Sequence, residues 1–172
     1  MSVIPTVVPR RDHVRGATDG LVTLVEYGDF QCPYCGDAYP VVNELLETYD
    51  WVRFVWRHMP LVDLHPRSEA AAEASEAAAA QGRFWEMHDR LFENQHALAD
   101  SDLSEHAAAL GLDVERFERE LREGVYAERV AEDFRSGAAG GIPSTPRFFV
   151  NGQIHLGSAS WPDLRWAVEA EV

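Results

Sequence analysis

The chain has 172 residues, 46% of them hydrophobic and five of them tryptophan, enough for one real core in a single domain or a domain with an insertion. A formal net charge of −14 argues against nucleic acid and anionic membrane surfaces as partners, since both ask for a basic face. No run of about eighteen apolar residues is present, so no membrane span is expected. All 15 basic residues are arginine.

Residues 1–20 read as an arm. Pro5, Pro9, Gly16 and Gly20 with a charged stretch give it neither helical nor strand period, and no apolar leader-like run is visible. Read literally, that makes the protein cytoplasmic. Leu21–Tyr27 is the first strand, nearly all apolar and therefore expected to be buried on both faces. Then come Cys32 and Cys35, the only cysteines, separated by Pro33 and Tyr34. A helix follows, with Ala38, Val41, Val42, Leu45, Leu46 and Tyr49 on one face and Pro40 predicted to kink it. A strand, a short turn and a C-x-x-C opening a helix form a thioredoxin-like redox signature. A thiolate at a helix N-terminus meets unpaired N–H groups and the positive end of the dipole, which favour the ionised sulfur.

A second strand, Trp51–Trp56 or to His58, ends before Pro60. From Pro66 to about Ala139 the sequence is helix-forming. His65-Pro66 opens one helix through the alanine-rich run Ala70–Ala80 to Gly82, and Arg83–Gln95 is another. Ser101 is expected to cap Asp102–Leu110 and Asp113 to cap Val114–Glu123, and Tyr126–Ser136 follows. Trp85, Phe92, Phe117, Val130 and Phe134 are predicted core positions. The end returns to strands, Arg147–Val150 and Gln153–Leu156, joined by the hairpin signal Asn151-Gly152. A last helix, Trp161–Glu169, is capped by Ser160. The order β-α-β, helical block, β-β-α predicts an α/β thioredoxin fold. Residues 21–60 and 141–172 form the thioredoxin-like domain, and 61–140 form an inserted helical subdomain.

A structural zinc site is the competing use of Cys32 and Cys35. It normally takes four ligands, and no second cysteine pair exists. The histidines show no H-x₃₋₅-H spacing, and most are expected to be solvated or at helix ends. No metal, flavin or nucleotide is expected as a cofactor; there is no G-x-G-x-x-G before a helix and no P-loop.

Four features together make the chain resemble the DsbA-like branch of the thioredoxin superfamily from about residue 20 to 170. They are Cys32-Pro33-Tyr34-Cys35, Glu26 six residues earlier, the helical insertion, and the segment Ile142 to Gly152 with Thr145-Pro146 before a strand. It also resembles thioredoxin-like domains fused behind sodium/proton antiporters. The resemblance implies that Cys32 is the exposed nucleophile and Cys35 the resolving thiol. It implies a cis Pro146 facing the disulfide, with the backbone of Thr145 free for an extended substrate and Pro33 and Tyr34 beside it. It further implies a buried Glu26 that helps move a proton at Cys35; a solvent-facing strand-end carboxylate is the plainer reading of that residue. Asp29 reads as a loop residue and Asp37 as surface, both able to temper thiolate formation.

The expected function is thiol–disulfide exchange, as a DsbA-like oxidoreductase, with protein or peptide thiols and disulfides and with a redox recycling partner, by a monomer. A dimeric isomerase is unlike a chain whose arm is only about twenty residues. Cys-Pro-Tyr-Cys also resembles glutaredoxins, which leaves a reductase of small-thiol mixed disulfides open. A redox-inert peptide-binding or chaperone module is the alternative outside enzymology, and transferase-like chemistry on the same fold ranks last because Cys32 is present.

Overall fold

A computed structural model describes residues 6–8 and 10–172. Part of the expected arm, including Pro5 and Pro9, lies outside the described residues. The strands are β1 (His13–Gly16), β2 (Val22–Gly28), β3 (Val52–His58), β4 (Arg147–Val150) and β5 (Gln153–Ile154). They form one sheet in the order β1-β3-β2-β4-β5. Strands β2 and β3 are parallel; β1–β3, β2–β4 and β4–β5 are antiparallel. The helices are α1 (Pro33–Thr48), α2 (Ser68–Ala79), α3 (Phe84–Glu93), α4 (Asp100–Ala109), α5 (Val114–Arg122), α6 (Ala127–Ala139) and α7 (Trp161–Glu169). This is the thioredoxin fold, with α2 to α6 inserted between its halves.

Strand β2 is buried along its whole length, as its apolar run requires. Its alternating side chains serve two cores. Val22 and Leu24, with Phe54, Trp56, Phe148 and Val150, face the larger core under α1, α3 and α7. Val25 and Tyr27, with Val55, Met59 and Phe149, face the smaller one on the other side. The parallel β2–β3 pair needs a crossover, and α1 supplies it. The turn at Asn151-Gly152 takes positive φ at both residues, 48° and 81°, which is the geometry a tight hairpin asks of that dipeptide.

Several expectations are corrected. The arm is not irregular throughout, because β1 pairs with β3 from His13 to Gly16. Four residues with mixed polarity carry too little period to betray an edge strand. The Leu156 end of the last strand is not in the ladder; Leu156 is 84% exposed. Helix α4 starts at Asp100 after Ala99, not after Ser101, and the Asp102 carboxylate accepts from the Ala99 N–H at 2.9 Å. Asp113 does cap α5, accepting from the Arg116 N–H at 3.0 Å. Phe117 and Phe92 are core, and Trp85 is partly buried, whereas Phe134 is 37% exposed on α6.

Three of the seven histidines are buried, His58, His88 and His106, while the other four are not. His106 accepts from Arg90 Nε at 3.0 Å and faces the Ala97 carbonyl at 2.9 Å. His88 lies in an aromatic cage of Phe30, Trp56, Trp85 and Phe92, and burial holds its pKa down to about 4, so it is neutral near pH 7.

One ion pair ties the N-terminal segment to the sheet. Asp12 accepts from Arg57 Nε at 2.9 Å and Nη2 at 3.0 Å, with both side chains wholly buried, and Arg57 Nη1 donates to Tyr27 Oη at 3.0 Å. Burial pushes the Asp12 carboxyl up, but Arg57 and the Val8 N–H outweigh it and hold the pKa below the usual carboxylate range. Asp12→Asn is therefore expected to destabilise the protein by about 3–5 kcal/mol, the usual cost of breaking a buried pair from one side. Urea unfolding at pH 7 measures it; a change under about 1 kcal/mol would mean that water replaces the carboxylate freely.

Candidate active site

Cys32 is the N-cap residue of α1, with Pro33 and Tyr34 in the first turn and Cys35 one turn in. Proline suits this place because its missing N–H is one that a helix start leaves unpaired anyway. Pro33 and Tyr34 are exposed, Tyr34 to 70%, while only 2% of Cys32 and none of Cys35 is open. The exposed position expected for Cys32 is thus corrected to a nearly covered one under the Thr145 segment. The segment before β4 comes back against this turn. The Thr145–Pro146 peptide is cis, as the resemblance implies, and the Thr145 carbonyl lies 3.5 Å from Cys32 Sγ.

Two sulfurs in one turn acquire opposite character. The Cys32 pKa is lowered to about 5, chiefly by the hydrogen bond from the Cys35 thiol. Thr145 and the N–H groups of Cys35 and Tyr34 add to this, against a burial that works the other way. The Thr145 hydroxyl is buried with no partner among the described residues, so its proton is available to a thiolate. Cys35 is pushed well above the ordinary thiol value, first by burial, then by its bond to Cys32 and the charge of Glu26. One thiol is thus ionised at neutral pH while the other holds its proton.

Glu26 lies on β2 between Trp56 of β3 and Phe148 of β4, on the face that α1 covers. It is 3% exposed, and Oε1 has no hydrogen-bond partner among the described residues. Burial, helped by the Cys32 charge, raises its pKa to about 8. The reading of a solvent-facing strand end does not hold, because β2 runs one residue further, to Gly28, and keeps the carboxyl inside. Gly28 permits the crowding: a Cβ there would sit 2.3 Å from the Trp56 ring.

The site also uses residues that sequence reasoning passed over. Gln95, just past α3, donates through Nε2 to the carbonyls of Phe30 and Cys32, both at 2.9 Å. It crosses directly over Gly36, where a Cβ would meet Gln95 Oε1 at 2.2 Å. A glycine immediately after C-x-x-C was the available signal. Asp29 is a loop residue in position but not in exposure, at 1%. Its carboxylate accepts from the Gln31 and Leu61 N–H groups at 2.8 and 2.9 Å, and from His65 Nδ1 at 2.8 Å.

Beside Cys32 opens a cleft of about 600 Å³ between the α1 start, the Ser144–Phe148 segment and the loop after β5. Tyr34, Ala38, Val41, Pro146 and Phe148 give it apolar walls, and Asp37 and Arg147 add opposite charges. Far in sequence, His13, His58 and Glu76 come together, with both His Nε2 atoms 2.7 Å from Glu76 Oε1. The donor set does not suit a metal. Trp56 Nε1 donates to His58 Nδ1 at 3.2 Å, so the His58 proton sits on Nε2 and is spent on Glu76. Arg129 Nε lies 3.9 Å from the same carboxylate oxygen.

A family model described as thioredoxin matches residues 9–170. A sodium/proton antiporter of Salinispora arenicola is 51% identical over 162 residues, covering 94% of this chain and 25% of that protein. One from Herminiimonas arsenicoxydans is 46% identical over 159 residues, covering 92% and 25%. The chain thus spans about a quarter of the length of the curated relatives it matches. Among solved structures, a thioredoxin-like oxidoreductase of Silicibacter pomeroyi superposes with a TM-score of 0.83 at 29% identity, covering 93% of this chain and 91% of that one. BdbD of Bacillus subtilis superposes at 0.86 with 24% identity, covering 99% and 97%.

The cytoplasmic expectation is overturned. The curated relatives carry the name of a sodium/proton antiporter, which points to a membrane-associated setting rather than the cytoplasm. The lack of a leader-like run in residues 1–20 was no measure of location in a chain that spans a quarter of its relatives. Among the described residues no helix is long and apolar enough to cross a membrane.

Proposed function

Because this chain belongs to the thioredoxin family, in the DsbA-like form whose fold supports thiol–disulfide exchange, we propose that Cys32 and Cys35 exchange disulfides with protein substrates. The observation that carries this reading is the split between the two sulfurs: Cys32 with a pKa near 5 at the start of α1, and Cys35 buried behind it with its proton held. In the reducing direction the Cys32 thiolate attacks a substrate disulfide, the Cys32–substrate bond forms, and one substrate sulfur leaves with the electron pair. Cys35 then loses its proton and attacks Cys32 Sγ. The substrate's second sulfur leaves as a thiolate, and the enzyme ends as the Cys32–Cys35 disulfide. The oxidising direction is the same sequence reversed.

Three further parts support the proposal. The cleft walled by Tyr34, Pro146 and Phe148 suits an extended peptide, with the Thr145 backbone at the sulfur. Glu26, whose charge is felt at Cys35 and whose pKa burial raises to about 8, supplies the base through its ionised fraction: that carboxylate takes the Cys35 proton and becomes the neutral acid. A solved relative in fold is itself a thiol-disulfide exchange protein, alpha-DsbA2 of Wolbachia pipientis. Turnover needs a recycling partner that restores one redox state.

The test is transfer of the Cys32–Cys35 disulfide to a reduced peptide holding two cysteines. We expect stoichiometric oxidation of the peptide within minutes at pH 7. Failure of the pair to form a disulfide at any glutathione poise would leave a redox-inert peptide binder instead.

A further inference from the structure

The turn Asp29–Cys32 joins β2 to α1, and nothing in regular structure holds it. Asp29 does so from within. Its carbonyl accepts from the Cys32 N–H at 3.1 Å, and its buried carboxylate gathers the Gln31 N–H, the Leu61 N–H and His65 Nδ1. Three donors on one carboxylate leave the residue little freedom. The consequence lies at its own backbone: the Asp29 N–H points at Cys35 Sγ, 3.4 Å away.

We propose that Asp29 is the positioning residue for the resolving cysteine, its carboxylate clamp aiming its own amide at Cys35 Sγ so that this sulfur can ionise and attack. The inference rests on the exchange reading above and deepens it. Resolution requires a thiolate on Cys35, yet burial, the Cys32 sulfur and the Glu26 charge all oppose one. A backbone N–H acts the other way, since it stabilises the charged sulfur more than the neutral thiol. The amide is fixed in advance, so no reorganisation accompanies the ionisation. His65 completes the clamp from the β3–α2 loop. It sits at the surface edge of the group with a side chain 18% exposed, so it can be altered without opening the core.

In the chemical step, the Cys35 thiol gives up its proton to a base. The sulfur attacks Cys32 Sγ of the mixed disulfide, the Cys32–substrate bond breaks, and the substrate thiolate departs with the electron pair and is protonated in solution. The Asp29 amide donates to Cys35 Sγ while the sulfur is charged and gives up nothing itself.

The experiment uses the aromatic disulfide 5,5′-dithiobis(2-nitrobenzoate) with the reduced protein in stopped flow. Attack by Cys32 releases one nitrothiobenzoate, and resolution by Cys35 releases a second, so the two steps are read apart. Asp29→Asn places an amide where two donors need an acceptor. We expect its second phase to slow at least tenfold, with the pH midpoint of that phase displaced upward. The first phase should keep its rate and midpoint. His65→Ala removes one of the three donors and is expected to slow the second phase by a smaller factor, again alone. An unchanged second phase in both variants overturns the proposal, as does an equal slowing of both phases. Should Asp29→Asn fail to fold, as circular dichroism would report, His65→Ala decides in the same terms. A wild-type protein that releases only one equivalent overturns the exchange reading itself, which separates the two failures.

Discussion

Cys32→Ser is expected to abolish disulfide transfer, while Cys35→Ser keeps the first attack and accumulates the enzyme–substrate mixed disulfide. The two outcomes follow from the two environments. A serine hydroxyl cannot form the disulfide, so nothing else in the site rescues the first step. Without Cys35 there is no internal sulfur to resolve the covalent intermediate, which mass spectrometry of the trapped adduct detects. The same split predicts the pH dependence of alkylation. Iodoacetamide should modify Cys32 with a midpoint near 5 and leave Cys35 untouched in the folded protein. Because the folded pKa lies below the unfolded one, the stability that the Cys32 thiolate lends the reduced form is complete above pH 9 and fades as pH falls toward 5. The disulfide form has no such dependence. Thiolate stabilisation favours the reduced state, which shifts the couple toward the oxidising side of an ordinary dithiol. A pKa near 5 lies between about 7 in thioredoxin and about 3.5 in DsbA. The potential is therefore expected between about −270 and −120 mV, and a value below that range would contradict the ionised Cys32.

Glu26→Gln is expected to make the reduced protein more stable at pH 8 by several kcal/mol. A carboxyl whose folded pKa is near 8, against 4.5 unfolded, keeps a proton in the native state that the unfolded chain has lost. Stability is then greatest below pH 4.5 and falls as pH rises to 8, by about 1.4 kcal/mol per unit and roughly 5 kcal/mol in all. Glutamine matches the shape of the protonated acid and removes the slope. The variant should equal the wild type near pH 4 and exceed it by about 3 kcal/mol at pH 7. Denaturant midpoints across that range test this. Parallel pH profiles for the two proteins would mean that water reaches the carboxyl. In the disulfide form the slope should span a narrower pH window, because the Cys32 charge that helps raise Glu26 is gone. A stability gain bought at the site of proton movement also predicts slower resolution by Cys35.

What could be read from the chain divides along local and distant chemistry. The C-x-x-C at a helix start, the buried β2 run and the Asn151-Gly152 turn each carry their signal within a few residues. The element order β-α-β, helical block, β-β-α followed from such signals, while the cis Thr145-Pro146 step followed from resemblance. The buried state of Glu26 followed from resemblance rather than spacing, because a strand-end acid reads as solvated until the strand is known to continue. Strand β1, Gln95 and the carboxylate clamp of Asp29 left almost no trace. Each is defined by a partner 30 to 65 residues away, such as His65 for Asp29 or Phe30 for Gln95, and neither period nor motif encodes such a pairing. The cluster of His13, His58 and Glu76 is invisible for the same reason.

The bonds that Gln95 donates to the Cys32 turn, and that Cys32 Sγ makes to the Thr145 carbonyl, bear on how the protein is made. A chain emerging from the ribosome exposes residue 32 long before residue 95 exists, and residue 145 arrives later still. Until then Cys32 has the Cys35 thiol and the N–H groups of its own turn but lacks Thr145, one of the groups that lower its pKa. Contacts of such sequence separation form late in folding as well. The reactive sulfur thus gains the last of its tuning groups only when the strand-forming end of the chain has docked.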